Sequence, residues 1–186
     1  MPRPEPISQR GLSLIELIMF IVVVSAALAG VLRVFTQASS ASADPQLQRQ
    51  ALSIAESLLQ EVQLMPFTYC DPDDANVETA ANGAGCAGVA EAIGPEGGET
   101  RFATPQFDNV NDYNGYAMAS GILDITNAAV TGLESYSANV SVANAALGSI
   151  PASGDALLIT VTVTAPHGVQ VVLTGYRTRY APNAAL

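Results

Sequence analysis

The chain has 186 residues and a formal net charge of -10, and its seven basic residues are all arginine. This balance argues against a nucleic-acid-binding surface, which requires clustered cationic side chains. The length is sufficient for one modest domain in addition to a long N-terminal helix.

Residues 1–11 form a short, polar, proline-interrupted segment that carries Arg3 and Arg10. The apolar segment follows it, whereas an ordinary secretory signal peptide is cut after its apolar region. Two arginines ahead of an apolar segment favour a cytoplasmic N-terminus. Everything beyond the apolar segment is therefore predicted to lie in the periplasm.

The next segment is apolar from Leu12 to Leu32 and contains a single charged side chain, Glu16. Its length is about the 20 residues that an α-helix needs to cross a hydrocarbon core. An ionised carboxylate at that depth costs a few kcal/mol. The sequence therefore predicts a membrane helix over residues 12–35, in which Glu16 is functional and has an oppositely charged partner.

The start of this helix resembles the cleavage motif of type IV pilins and type II secretion pseudopilins. The motif reads Gly11-Leu12-Ser13-Leu14-Ile15-Glu16. The resemblance implies that a prepilin peptidase and methyltransferase cleaves after Gly11 and N-methylates Leu12. It also implies that Glu16 pairs with the N-terminal amine of a neighbouring pilin subunit. The family usually has Phe or Met and then Thr where this chain has Leu12 and Ser13.

Helix geometry agrees with that implied pairing. Four residues separate Leu12 from Glu16, and a helix rises about 1.5 Å per residue, so the two groups lie roughly one turn apart. A neighbouring helix that is shifted along the axis could bring its own amine to Glu16. Charge pairing would then set the register, and apolar packing would supply most of the attraction.

Residues 36–66 are predicted to contain a linker and an amphipathic helix. Residues 36–43 are small and polar, and Asp44 and Pro45 are typical of an N-cap and a first helical residue, which predicts a kink or break there. Pro66 ends the helix. The apolar face has a 3.6-residue period, widened by Leu52 and Leu59; it contains Leu47, Ala51, Ile54, Ala55, Leu58, Val62 and Met65. The polar face contains Gln46, Gln48, Arg49, Gln50, Ser53, Glu56, Gln60 and Glu61.

Residues 67–107 are rich in glycine and predicted to be mainly loop. If this region is periplasmic, Cys70 and Cys86 can form a disulfide, which stabilises by about 3 kcal/mol in the chain-entropy model. Two unpaired thiols are the alternative. A zinc site would need more ligands than two cysteines provide.

Two clusters of Asp and Asn contain oxygen ligands of the kind that bind calcium. One contains Asp71, Asp73, Asp74 and Asn76, and the other contains Asp108, Asn109, Asn111, Asp112 and Asn114. Neither has the glycine and the closing glutamate of an EF-hand at the required positions. Asx turns account for both clusters. No cofactor or metal is therefore predicted, although calcium stays an alternative because some pseudopilins bind it.

The remainder of the 67–186 globular region is predicted to be a β-sheet. Strands are expected at residues 116–125, 137–143, 156–165 and 169–179, and residues 166–168 are expected to form a hairpin turn. Residues 157–164 alternate apolar and polar side chains, which indicates a half-buried antiparallel strand. The predicted fold class is therefore α+β, with a long helix packed on a sheet of about four strands, as in pilins.

The sequence contains no recognisable catalytic constellation. His167, the only histidine, lies in the predicted hairpin turn. No Ser or Cys lies in a nucleophile motif, and no glycine loop precedes a helix as in phosphate-binding sites. We therefore predict that the chain is not an enzyme.

Three functional interpretations follow. The first is a minor pilin, because residues 43–47, 66–74 and 112–116 also resemble minor subunits of mannose-sensitive haemagglutinin (MSHA) pili. The second is a type II secretion pseudopilin. The third is a signal-anchored or secreted periplasmic binding domain, for which Ala41-Ser42-Ala43 would be the cleavage site. The mature N-terminus, Leu12 or Asp44, distinguishes the third interpretation from the other two.

Overall fold

The computed structural model describes residues 13–184, except for the side chains of residues 37–44. Within this range it contains helix α1 (Leu14–Leu64) and strands β1 (Ala117–Met118), β2 (Ser137–Asn144), β3 (Ala156–Thr164) and β4 (Gln170–Thr178). The chain divides into two units, Met1–Asp44 and Pro45–Leu186, which are treated separately below. The predicted leader, including Gly11, and the predicted N-terminal residue Leu12 lie outside the described residues.

The first unit contains the N-terminal part of α1. Its segment Leu14–Thr36 has 23 residues, a mean hydropathy of 2.6 and no buried residues, so it is long and apolar enough to cross a membrane. The large side chains along it are exposed, including Phe20 at 65% and Phe35 at 74%. The structure therefore confirms the expected N-terminal helix, whose length and composition would allow it to cross a membrane.

The break predicted between residues 36 and 45 is not found. These residues belong to α1, and Pro45 lies inside the helix. Three of them, at positions 38, 41 and 43, are alanines, and alanine has the highest helix propensity of all residues. The alanines favour helix, and Pro45 removes one backbone donor without ending it.

In the second unit, the remainder of α1 packs on the sheet through the predicted apolar face. Ala51, Ala55, Leu58 and Val62 are buried, and Leu47, Ile54, Leu59 and Met65 are partly buried against the same core. The helix ends at Leu64, two residues before Pro66, as predicted. The amphipathic helix is confirmed.

The four strands form one antiparallel sheet in the order β1-β2-β3-β4. Strand β3 is central between β2 and β4, with Val140 paired to Val161 and Val161 paired to Leu173. Its alternate residues Leu157, Ile159, Val161 and Val163 are all fully buried. The predicted α+β class is confirmed, and so is the predicted alternation of apolar and polar side chains along β3.

The first predicted strand is much shorter than expected, with two residues in place of ten positions. Gly121 has a φ of +94°, which takes the backbone out of the β region. Beyond it, Asp124 Oδ1 accepts hydrogen bonds from the backbone N–H groups of Thr126 and Ala128 at 2.8 and 2.9 Å. This Asx turn competes with strand pairing, and residues 119–125 are consequently loop.

A glycine allows close contact between helix and sheet. A Cβ atom on Gly175 of β4 would overlap Gln63 Nε2 and lie 3.2 Å from Leu59 Cδ1. At the other end of β4, the hairpin turn is formed as predicted at Pro166–Gly168, where His167 has a φ of +61°.

Candidate functional site

Glu16 lies in the first turn of α1, and its side chain is exposed among exposed apolar neighbours. Its backbone N–H donates to the carbonyl of Ser13 at 3.0 Å. Among residues 13–184, the salt bridges are Glu61–Arg101 and Asp155–Arg179, so Glu16 has no ion-pair partner in the described part of the chain. A carboxylate in an apolar environment is stabilised by a cation.

Small residues leave a shallow apolar depression on the same unit. It is lined by Ala26, Ala27, Gly30, Val31, Val34 and Phe35. A Cβ atom on Gly30 would meet nothing within 4 Å. Small residues at such positions permit the close approach of a second helix.

The second unit contains a largely buried ion pair that the sequence pattern did not predict. Arg101 Nε donates to Glu61 Oε1 at 2.6 Å, and Arg101 Nη2 donates to Glu61 Oε2 at 2.7 Å. The Arg101 side chain is 6% exposed, and the Glu61 side chain is 20% exposed. Glu61 was expected on the solvent face of the helix, which was wrong, because a bidentate pair allows both charges to be largely withdrawn from water.

Tyrosines and backbone carbonyls complete this network. Tyr113 Oη donates to Glu61 Oε1 at 2.9 Å, and Arg101 Nη1 donates to the Leu123 carbonyl at 3.2 Å. Burial alone would lower the pKa of Arg101, but hydrogen bonding and charge from Glu61 outweigh it and raise that pKa above its usual value. Burial, followed by the charge of Glu61, raises the pKa of Tyr113. Arg101 therefore stays charged, and the network ties the helix to two loops, which gives it a structural role.

Two C-terminal arginines fix the end of the helix. Arg177 Nη2 donates to the Met65 carbonyl, and Arg179 Nη1 donates to the Thr68 carbonyl, both at 2.9 Å. The guanidinium carbon of Arg179 also lies 4.0 Å from the centre of the Phe67 ring, a cation–π geometry. Both arginines are therefore engaged in contacts within the fold.

The disulfide Cys70–Cys86 is present and is confirmed. Asp74, from the first Asx cluster, accepts hydrogen bonds from the backbone N–H groups of Asn76, Ala87 and Gly88. These bonds, with that of Ala87 the largest contribution, lower the pKa of Asp74. The turn interpretation of this cluster is therefore correct for Asp74. His167 is exposed in its turn, as expected.

Comparison of the chain with family models, with characterised proteins and with solved structures finds no significant match.

Proposed function

We propose that this chain is a type IV pilin-like subunit, a structural minor pilin that is assembled through its N-terminal helix. The observation that carries the proposal is Glu16, a single carboxylate in the first turn of an exposed apolar helix. In the sequence it follows Gly11 and Leu12 at the spacing of a prepilin motif. Cleavage after Gly11 would create an amine at Leu12, which is the kind of cation that Glu16 requires.

The exposure of the apolar segment supports assembly. Its side chains from Leu14 to Phe35 face solvent in the isolated chain, so they need another apolar environment. Before assembly, the inner membrane would provide it, with the globular unit in the periplasm. After assembly, the corresponding helices of other pilin subunits would provide it, and the amine of one subunit would neutralise Glu16 of the next.

The fold of the globular unit supports the proposal of a structural subunit. Its long helix packed on an antiparallel sheet is the layout expected of a pilin head. The segments that resemble MSHA minor pilins, and the minor pilin MshD in particular, make a minor pilus subunit the preferred member of the class. A type II secretion pseudopilin would use the same helix chemistry, and the neighbouring genes would distinguish the two.

The decisive experiment determines which residue is the N-terminus of the mature protein. The full-length chain would be produced in hosts with and without a prepilin peptidase, and its intact mass and N-terminal sequence would be measured. We expect an N-methylated Leu12 only when the peptidase is present. An N-terminus at Asp44, or an uncut chain in both hosts, would contradict the proposal, and Asp44 would indicate an ordinary secreted periplasmic domain.

The role of Glu16 is tested by substitution. Glu16→Ala should be processed normally but should be depleted from sheared pili, because the lateral charge pair is lost. Glu56→Ala is the matched control, since Glu56 is an exposed glutamate on the same helix but outside the apolar segment. If Glu16→Ala entered pili at the level of the control, the proposed pairing would be wrong.

A further inference from the structure

Six carboxylates converge in the loops between the helix and the sheet. Oxygen atoms of Glu91, Glu96 and Asp112 lie within 4.8 Å of one another, and so do oxygen atoms of Asp71, Glu99 and Asp108. They come from three separate loop segments, which lie near residues 71, 91–99 and 108–112. Like charges this close repel one another, more strongly where burial lowers the local dielectric constant.

The centre of this cluster is a buried carboxylate that is only partly satisfied. Asp112 is 1% exposed. Its Oδ2 accepts hydrogen bonds from the backbone N–H groups of Asn109 and Asp108 at 2.7 and 2.9 Å. Its Oδ1 is buried and has no donor among the described residues. A buried acceptor without a partner carries a full desolvation cost.

Other buried oxygen atoms in the same loops also lack a hydrogen-bond donor. Glu91 Oε1, Glu99 Oε2, Asn109 Oδ1 and Asn111 Oδ1 also have no donor within residues 13–184. Asn109 and Asn111 are 0% and 3% exposed. All of these atoms are hard oxygen acceptors, and acceptors of this kind are satisfied by a proton donor or by a metal cation.

The cluster forms no salt bridge with a protein cation among the described residues, and its one recorded interaction with a cation there is the charge of Glu91 acting on Arg179, which is paired with Asp155. In the described part of the chain, both salt bridges involve other carboxylates. The close oxygen atoms of the cluster therefore have no salt-bridged counter-charge among the described residues, and an external cation would supply one.

We propose that this acidic cluster binds a divalent cation of the size of calcium, with Asp112, Glu91 and Glu96 as its central ligands. All the candidate ligand atoms are oxygen, as calcium prefers, and zinc would be expected to use His or Cys. Calcium accepts six to eight oxygen ligands in a flexible geometry, whereas magnesium demands near-ideal octahedral geometry and usually keeps several of its waters. The cation would join loops that contain little regular structure.

An EF-hand takes its ligands from a single 12-residue loop, whereas this cluster does not. In the structure the carboxylate of Asp74 accepts backbone N–H groups, and Glu91, Glu96 and Glu99 lie outside both Asx clusters. The site is assembled by tertiary contacts, so no local spacing reveals it.

The test uses the full-length chain in detergent micelles, first stripped of metal with a chelator. Equilibrium dialysis against radioactive calcium should show saturable binding that an equal concentration of magnesium does not displace. Thermal unfolding should occur at a higher temperature in calcium than in chelator, because a ligand that binds only the folded state stabilises it.

Variants locate the site. Glu96→Gln and Asp112→Asn should each weaken calcium binding by at least about tenfold, the range seen when support for a metal ligand is lost. Glu78→Gln, which removes the charge of an exposed glutamate in the same loop region, should bind as the unmodified chain does. Glu96→Gln keeps the Asp112 hydrogen bonds, so it remains informative if Asp112→Asn does not fold. The absence of saturable binding, equal displacement by magnesium, or unchanged binding by Glu96→Gln would each overturn the proposal.

Discussion

Replacing Arg101 by methionine tests the buried ion pair directly. Methionine keeps much of the aliphatic volume but removes the guanidinium group that bonds both oxygens of Glu61. Glu61 would keep a single donor, the hydroxyl of Tyr113. The variant therefore leaves a largely buried carboxylate without its counter-charge.

The expected loss of stability follows from the burial of the two side chains. Removing one partner of a fully buried pair costs about 3–5 kcal/mol. The Glu61 side chain is 20% exposed, so water can solvate it in part, and we expect a loss of about 2–3 kcal/mol. This loss is a large fraction of the roughly 5–15 kcal/mol that stabilises a typical domain.

The assay is urea unfolding of the full chain in micelles, monitored by near-ultraviolet circular dichroism. The chain has six tyrosines and no tryptophan, and Tyr113 and Tyr116 lie in the network itself. Arg49→Met is the control, because Arg49 is exposed on the same unit and should change stability by no more than about 0.5 kcal/mol.

A double variant separates charge from packing. Glu61→Gln in the Arg101→Met background removes the unpaired charge and should restore about 1 kcal/mol or more. A loss below about 1 kcal/mol for Arg101→Met, or additive losses in the double variant, would refute the reasoning.

Three further predictions concern the globular unit. Gly175→Val should destabilise it by about 1–3 kcal/mol through overpacking against the helix, whereas Thr174→Val, at an exposed neighbour on β4, should have little effect in the same urea assay. Replacing Cys70 and Cys86 by serine opens a loop with a sequence separation of 16 and should cost about 3 kcal/mol; a chain as stable after reduction as before would contradict this. Asp74 has a lowered pKa in the folded state, so the advantage of the unmodified chain over Asp74→Asn should be complete above the unfolded pKa of about 4 and should diminish as the pH falls below it. An advantage that stayed constant down to about pH 3 would show that the charge of Asp74 is not responsible.

The parts of the fold that could be predicted are those specified by local periodicity. The 3.6-residue pattern from Leu47 to Met65 and the two-residue pattern from Leu157 to Val163 each indicated the buried face correctly. Both patterns depend only on which side of an element faces the core. The hairpin turn at Pro166–Gly168 was predictable for a similar reason, because its turn residues are adjacent in sequence.

The features that could not be predicted depend on residues far apart in the chain. Glu61 and Arg101 are 40 positions apart, and nothing in the helical pattern distinguishes Glu61 from a solvated glutamate. The acidic cluster likewise combines three loops. The length of β1 was mistaken for a different, local reason, because the Asx turn at Asp124 competes with the strand preference of the same residues.

The two C-terminal arginines also affect the order of events during synthesis. Arg177 and Arg179 bond carbonyls that lie 112 and 111 positions earlier in the chain. Strand β4 is also the partner along the whole of β3. A nascent chain from which residues 170–179 have not yet emerged cannot form these contacts, so the globular unit completes its folding only after that segment has left the ribosome.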